Sequence, residues 1–180
     1  MGFCIFNNVA IAARYLLEKH RVERVLIVDW DVHHGNGTQD AFYSDPAVLY
    51  FSTHLSPHYP GSGGEAEKGE GAGRGTTINV PLPRGAGDAE MARAYDEKLE
   101  PAAAAFRPGF VLISAGFDSH RGDPLGGLEA TAAGYASLTR KVKAIADRSA
   151  RGRVVSVLEG GYLLAAISES AEAHVRALME

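Results

Sequence analysis

The sequence predicts an α/β protein built on a mainly parallel sheet. Three apolar runs, at 25–28, 48–51 and 110–113, are unbroken instead of alternating, as in strands that are covered on both faces. Segments with the helical spacing of apolar residues lie between these runs. Glycine-bearing polar clusters follow three of the predicted strands. Because ligands bind at the carboxyl ends of strands in such sheets, we expect the functional site at that edge.

The first half of the chain predicts two helices, two buried strands and a long loop. Asn7 or Asn8 can cap the first helix. Residues 55–75 contain seven glycines and predict a rim loop beside the site, because long irregular segments in compact domains are functional or mobile. Simple disorder of this segment is the alternative. The other elements are, in order, a helix over 9–19, a strand over 24–28, a short helix over 38–42 and a strand over 48–54.

The second half alternates strands with helices. Pro81 and Pro83 predict the end of the third strand, since proline cannot donate to a strand ladder. His174 lies on a helix face and is predicted to be solvated. The elements are, in order, a strand over 76–80, a helix over 88–105, a strand over 110–115, a helix over 131–147, a strand over 153–158 and a helix over 163–178.

Composition narrows the class of protein. The 180 residues suffice for one domain, here 1–180. The net charge of -4 does not indicate the basic surface that nucleic-acid binding needs. The single cysteine, Cys4, excludes a disulfide framework and is expected to be buried. Without an apolar run of membrane length or a signal sequence, we expect a cytoplasmic protein. The oligomeric state stays open.

Carboxylates and imidazoles crowd the end of the first strand. Residues 28–37 read VDWDVHHGNG, and burying such groups is costly unless something satisfies them. Residues two apart in a strand share a face, so Asp29, Asp31 and His33 should point one way, with Trp30 and Val32 pointing the other. Asp31 and His33 form an oxygen-plus-nitrogen pair that suits Zn²⁺.

Two other strand ends can complete a catalytic site. Asp118 is our choice for the third ligand, which leaves a fourth position open for water. Tyr162, on a Gly-Gly turn, could donate a hydrogen bond to an oxyanion opposite the metal. Taken singly, Asp118 is more simply a turn or cap residue, and Tyr162 is more simply a packed aromatic with its hydroxyl at the surface. Asp123-Pro124 is most simply a turn. The set lacks a general base for the water.

These motifs resemble the histone deacetylase family, which includes acetoin-utilisation proteins and acetylpolyamine amidohydrolases. The ten-residue signature DWDVHHGNGT at 29–38 is the most specific, and its Trp30 and Asn36 are more similar to the class II branch than to class I. The resemblance covers essentially the whole chain. The other matching motifs, in the family's order, are GFCIFNN at 2–8, SAGFD at 114–118, GDPL at 122–125 and EGGY at 159–162.

The resemblance implies a fold and a site. The fold would be the arginase/deacetylase fold, a three-layer α/β/α sandwich, and Zn²⁺ would be held by Asp31, His33 and Asp118. Tyr162 would polarise the substrate carbonyl. Asp29, His34 and Asn36 would support the site from behind the ligands without touching the metal. The residues implied for the acyl-lysine channel are Gly2, Phe3, Tyr59 and Leu125.

The resemblance also implies monovalent cations. A structural K⁺ near the zinc would use backbone oxygens of Asp29, Asp31, His33 and Thr53 with the Ser52 hydroxyl. A second monovalent site would use carbonyls around Phe42, Asp45 and Val48.

One departure from the family pattern limits the expected activity. The general base of the family is one of two adjacent histidines that precede the GFC motif, and this chain starts at Met1-Gly2. The resemblance therefore implies a domain whose N-terminal portion is missing. His33-His34 cannot replace the pair, since His33 serves the metal. Asp29 and Asn36 resemble the residues that orient those histidines and are expected to lack partners.

Two functions compete at this stage. The first is a zinc-dependent deacetylase acting on acetyl-lysine in proteins, on acetylpolyamines or on small acetylated metabolites. The second is a metal-binding fragment without activity, because loss of acid–base catalysis costs about 10²–10⁴-fold. A binuclear arginase-type ureohydrolase would need further ligands, which the strand ends do not supply. The sequence does not distinguish zinc from iron as the bound metal.

Overall fold

The computed structural model describes residues 4–180, which form one five-stranded sheet flanked by helices. A π-helical turn, Tyr95–Leu99, joins the third helix to the fourth, and one 3₁₀ turn, Gly71–Gly73, lies in the long loop. The strands are β1 (Val25–Asp29), β2 (Val48–Leu55), β3 (Thr77–Leu82), β4 (Phe110–Ala115) and β5 (Val154–Leu158). The helices are α1 (Asn8–Lys19), α2 (Asn36–Phe42), α3 (Asp88–Ala94), α4 (Glu100–Phe106), α5 (Ala132–Ser149) and α6 (Leu164–Met179).

The sheet has the order β3-β2-β1-β4-β5, and every neighbouring pair is parallel. Alternate residues of β1 enter different cores: Leu26 and Val28 pack with α3, α4 and α5, whereas Ile27 packs with α1 and Phe42 of α2. Burial of both faces explains the unbroken apolar runs. The predicted three-layer α/β/α sandwich is confirmed.

The strand register brings the site together. Asp29, the last residue of β1, pairs with Ser52 of β2 on one side and with Ser114 of β4 on the other. The carboxyl ends of the three central strands therefore lie side by side. Because β5 pairs with β4 in parallel, the segment that follows β5 reaches the same edge. The polar clusters that were far apart in sequence converge there.

Most helix and strand positions agree with the prediction to within a few residues, but β3 does not end at Pro81. Pro81 pairs with His54, and the strand continues to Leu82. β3 is the first strand in the sheet order and so lies at an edge. An edge strand tolerates proline because the backbone N–H groups on its outer side have no neighbouring strand to bond. Asn7 caps α1, and its side chain accepts a hydrogen bond from the Ala10 amide at 2.9 Å.

Two predictions of burial were wrong. His174, predicted to be solvated, is 4% exposed, because the hydroxyls of Thr139 and Ser156 satisfy its two ring nitrogens at 2.7 and 2.8 Å. Cys4, predicted to be buried, is exposed.

The outer edge of β5 carries exposed apolar side chains. Val155 is 46% exposed and Leu158 is 63% exposed, although residues of a parallel strand are ordinarily covered. Ile11 and Tyr15 of α1 are exposed as well. Across residues 4–180, no helix is long and apolar enough to span a membrane.

Candidate metal centre

Three ligand groups converge at the carboxyl edge of the sheet. Asp31 and His33 lie just beyond β1, and Asp118 lies three residues beyond β4. One ligand atom from each lies within 4.8 Å of the other two, the one such cluster of three or more found within 4–180. His33 Nδ1 is 2.9 Å from Asp31 Oδ1 and 3.2 Å from Asp118 Oδ2. The three residues that the sequence selected therefore form one donor set.

Backbone amides fix the two carboxylates. The Val32 amide donates to Asp118 Oδ1 at 2.9 Å, which ties the β4 loop to the β1 loop. Asp31 accepts at Oδ1 from the His33 amide at 2.8 Å and at Oδ2 from the Gly160 amide at 2.8 Å. Each carboxylate is thus oriented before any metal arrives, as a preorganised site requires. As predicted, Trp30 and Val32 face away, into the apolar core.

Two glycines make room for this arrangement. A Cβ at Gly160 would lie 2.0 Å from Asp118 Oδ2, and one at Gly116 would lie 2.4 Å from Asp31 Oδ2. Any side chain at either position would therefore displace a ligand carboxylate. The close approach explains why glycines accompany the polar residues after β4 and β5.

The ionisable side chains at the donor set change the pKa values of their neighbours. The carboxylates of Asp118 and Asp31 hold a proton on the imidazole and raise the pKa of His33 to about 10. Burial raises the pKa of Asp118 to about 6, and the neighbouring His33 opposes this only in part. Burial, followed by the charge of Asp31, raises the pKa of Glu159 to about 7. Excess negative charge in a buried place is unfavourable, and a bound divalent cation would compensate it.

The donor set fits a zinc ion. Asp118 is 0% exposed, and its Oδ2 forms no hydrogen bond of good geometry among the described residues beyond its ion-pair contact with His33, so its charge is only partly compensated at a buried position. That oxygen faces His33 Nδ1 at 3.2 Å. Two carboxylates and one imidazole match the mixed oxygen and nitrogen ligands of zinc, with a position left for water.

Tyr162 lies beside this cluster on the turn between β5 and α6. The residue is 37% exposed. Partial burial, and then the charges of Asp118 and Asp31, raise the pKa of its phenol. Because the negative charge of both carboxylates keeps the phenol protonated, the phenol can donate a hydrogen bond next to a metal site.

The residues expected to orient missing histidines behave differently from each other. Asp29 was expected to lack a partner, and this was wrong: its Oδ2 accepts from the Tyr50 hydroxyl at 3.0 Å and its Oδ1 from the Asp31 amide at 3.1 Å. Burial raises the pKa of the Asp29 carboxyl well above its ordinary value. Asn36 begins α2, and its buried Oδ1 has no partner within 4–180, as expected.

The channel candidates are placed only in part. Tyr59 lies edge-on to His33 with ring centroids 6.2 Å apart, and it is exposed, as is Leu125. His58, which the sequence did not select, stacks on His33 at 5.1 Å. Gly2 and Phe3 lie outside the described residues.

A buried polar network holds the long loop against the site, and sequence reasoning missed it. His34 contacts the Ser62 hydroxyl at 2.8 Å through Nδ1 and Gln39 Oε1 at 3.1 Å through Nε2. Gln39 donates to Glu67 at 2.6 Å, and Glu67 also accepts from the amides of residues 63 and 64. Burial lowers the pKa of His34. The only sequence signal was a set of isolated polar residues far apart in the chain.

The residues suggested for K⁺ are also neighbours. The pairing of β1 with β2 places Asp29 beside Ser52, and both Ser52 and Thr53 are fully buried. The Ser52 hydroxyl contacts His54 Nδ1 at 2.9 Å. At the second suggested site, the Asp45 amide donates to the Phe42 carbonyl at 3.0 Å and the Val48 amide to the Asp45 carbonyl at 3.5 Å.

Comparison with known proteins agrees with this geometry. Among curated relatives, the chain is 48% identical over 179 residues to a rice protein (Oryza sativa subsp. japonica) named histone deacetylase 10, chloroplastic. It is 50% identical over 161 residues to a probable deacetylase of Archaeoglobus fulgidus. These matches cover 99% and 89% of this chain but only 40% and 45% of the relatives.

Solved structures show the same fold. The HD domain of HDA15 matches with a TM-score of 0.92 and 44% identity over 99% of this chain and 50% of that one. The histone deacetylase Clr3 matches with a TM-score of 0.90 and 44% identity over 97% of this chain and 30% of that one. The model of the histone deacetylase domain matches residues 1–178. The chain belongs to the histone deacetylase family.

Proposed function

We propose that this site hydrolyses N-acetyl amides with the help of a zinc ion held by Asp31, His33 and Asp118. The observation that carries the proposal is the buried Oδ2 of Asp118, which forms no hydrogen bond of good geometry within 4–180 and faces His33 Nδ1 at 3.2 Å, in a donor set whose other oxygens are fixed by backbone amides. Such an arrangement is unfavourable without a cation and well organised with one. The family of the chain supports the amide as the bond that is cleaved.

Each residue has a definite task in this proposal. Zinc, when bound, would acidify a water molecule and polarise the substrate carbonyl. Asp31 and Asp118 present oriented oxygens, and His33 gives up its ring proton to act as a neutral ligand. Tyr162 donates its phenolic proton in a hydrogen bond to the carbonyl oxygen, where negative charge develops during attack.

The substrate class remains broad in this proposal. Acetyl-lysine in proteins, acetylpolyamines and small acetylated metabolites all present an acetamide on a flexible chain. The names of the relatives favour an acetylated protein, while the exposed Tyr59 and Leu125 would flank the entering chain. Nucleic acid and membranes are not part of the proposal, given the net charge of -4.

Two further expectations belong to the same proposal. K⁺ would be bound by the backbone oxygens of Asp29, Asp31, His33 and Thr53 with the Ser52 hydroxyl, because these residues adjoin across β1 and β2. The carbonyls around Phe42, Asp45 and Val48 would hold the second ion. The cytoplasmic location stays a prediction from the sequence, since relatives from rice and Arabidopsis thaliana are named as chloroplastic.

Zinc binding and turnover test the proposal separately. The purified chain should bind one Zn²⁺, measured by competition with a fluorescent chelator. Asp118→Asn should weaken zinc by more than the 10–100-fold that loss of an outer partner costs. Asp147→Asn, on the exposed end of α5, is the matched control and should bind zinc like the wild type. Unchanged zinc affinity in Asp118→Asn would refute the ligand set.

Activity is then measured on an acetyl-lysine peptide and on an acetylpolyamine. Tyr162→Phe should keep its zinc and lose turnover by about 10²–10³-fold, the usual effect of removing one oxyanion donor. Zinc binding without turnover by the wild-type chain would favour the alternative, a metal-binding protein without deacetylase activity. Equal turnover by wild type and Tyr162→Phe would exclude the proposed role of Tyr162.

A further inference from the structure

We infer that Asp123 is a positioning residue for Tyr162, coupling the loop that carries the metal ligand Asp118 to the turn that carries the phenol. The inference rests on the proposed function, because the role of Tyr162 belongs to it. In the sequence, Asp123-Pro124 was most simply a turn, within the GDPL motif. The structure gives its carboxylate a second task.

Both oxygens of Asp123 are engaged. Oδ2 accepts a hydrogen bond from the backbone amide of Tyr162 at 2.7 Å, across 39 residues of sequence. Oδ1 accepts from the amide of Leu125 at 2.9 Å, which closes the local turn. An ionised carboxylate makes stronger hydrogen bonds to backbone amides than a neutral acceptor does. Asp123 itself is half-buried and lies five residues beyond Asp118.

The turn before Tyr162 needs such an anchor. It connects β5 to α6 without regular structure, and Gly161 adopts a φ of +143°. The Gly160 amide donates to Asp31 at 2.8 Å, and the Gly160 carbonyl accepts from the Phe117 amide at 2.7 Å. Asp123 fixes the other end at the Tyr162 amide. The turn is therefore attached at one end to a metal ligand and at the other to Asp123.

This arrangement sets the position of the Tyr162 phenol relative to the donor set. Loss of the Asp123 carboxylate releases the amide of Tyr162 but leaves Asp31, His33 and Asp118 in place. A displacement of about 1 Å in a catalytic group can cost about 10²-fold in rate. Asp123→Ala should therefore lower kcat by about 10–100-fold, with zinc affinity unchanged and KM within about threefold of the wild type.

Asp123→Asn distinguishes positioning from general loss of structure. Asparagine keeps one oxygen acceptor but turns its amide nitrogen, a donor, toward the other backbone amide. It should therefore restore part of the activity that alanine loses. Asp96→Ala is the matched control, because Asp96 is an exposed carboxylate whose partner is Lys141 on α5, away from the metal donor set. This variant should behave like the wild type.

Hydrogen exchange tests the coupling without any need for turnover. The amide of Tyr162, followed in a peptide that spans 159–163, should exchange at least tenfold faster in Asp123→Ala than in the wild type or in Asp96→Ala. The amides of β1 and β4 report on global folding and should not change. Equal exchange at Tyr162 in wild type and Asp123→Ala, with the strands still protected, would overturn the inference.

A double-mutant cycle on zinc-loaded protein tests the functional part. If Asp123 acts through Tyr162, Asp123→Ala should cost less than about threefold once Tyr162 is already phenylalanine. The same loss in both backgrounds would overturn the inference while leaving the proposed function intact. If Tyr162→Phe turns over as fast as wild type, the proposed role of Tyr162 fails, and if the wild type does not turn over, the proposed function fails. In that case, hydrogen exchange at the Tyr162 amide alone tests whether Asp123 holds the turn between β5 and α6.

Discussion

Acid should destabilise this protein through His174 more than through any surface histidine. Burial of the imidazole lowers the pKa of His174 from 6.5 to about 4. Its nitrogens contact the Thr139 and Ser156 hydroxyls, and its ring packs edge-on against Trp30 at 5.4 Å. Trp30 directly precedes Asp31, a proposed metal ligand, in the chain. Protonation of His174 should therefore disturb the segment that carries Asp31.

The direction and size of the effect follow from the pKa shift. The unfolded chain binds a proton near pH 6.5, whereas the folded protein resists it down to about pH 4. The contribution to stability is thus fully present above pH 6.5 and is lost as the pH falls through this window. The difference between a pKa of 6.5 and one of about 4 lowers the unfolding free energy by about 3 kcal/mol at pH 4, relative to neutral pH.

The assay compares His174→Gln with the wild type by urea denaturation at several values between about pH 7 and pH 4. The variant should be less stable at neutral pH but should lose about 3 kcal/mol less of its unfolding free energy on acidification. His20→Gln, at the exposed end of α1, should follow the wild-type pH dependence. Identical acid sensitivity of His174→Gln and wild type would refute the reasoning.

Three other perturbations test separate features. Glu67→Ala should release the long loop, seen as at least tenfold faster amide exchange at 62–68, and protection equal to the wild type would contradict the network. Gly160→Ala should weaken zinc binding by about 10²-fold or more because the new methyl group meets Asp118, while the unfolding midpoint changes far less; wild-type zinc affinity would disprove the close approach. Val155→Lys on the edge strand β5 should reduce concentration-dependent self-association, measured by light scattering. Val175→Lys, at a similarly exposed valine on α6, should not reduce it. Equal effects of the two substitutions would refute association through the edge of β5.

The sequence predicts the fold well because its signals are local. Unbroken apolar runs and helical spacing located five strands and the main helices, and parallel pairing followed from their alternation. Pro81 was misjudged because its effect depends on whether β3 lies at an edge or in the centre, and that is a property of the sheet order.

The clustering of the candidate site was predictable where one strand end carries several possible ligands and unpredictable where partners come from distant elements. Asp31, His33 and Asp118 follow buried strands, and the parallel register brings them together. His174 looked solvated because its partners, Thr139 and Ser156, lie 35 and 18 residues away. The second bond of Asp123, to the Tyr162 amide, is equally distant and left no local trace.

The glycines that adjoin the donor set have a consequence for how this protein tolerates mutation. Gly116 and Gly160 have no side chain that could bind a metal, yet a methyl group at either position would lie within 2.4 Å of a carboxylate oxygen of the donor set. Substitutions there would leave the apolar core intact and would pass a screen for folding or expression. They would fail a screen for metal retention. If the proposed zinc site is used, metal binding would constrain two positions that supply no ligand side chain, and variants at these sites would accumulate as folded but metal-free protein.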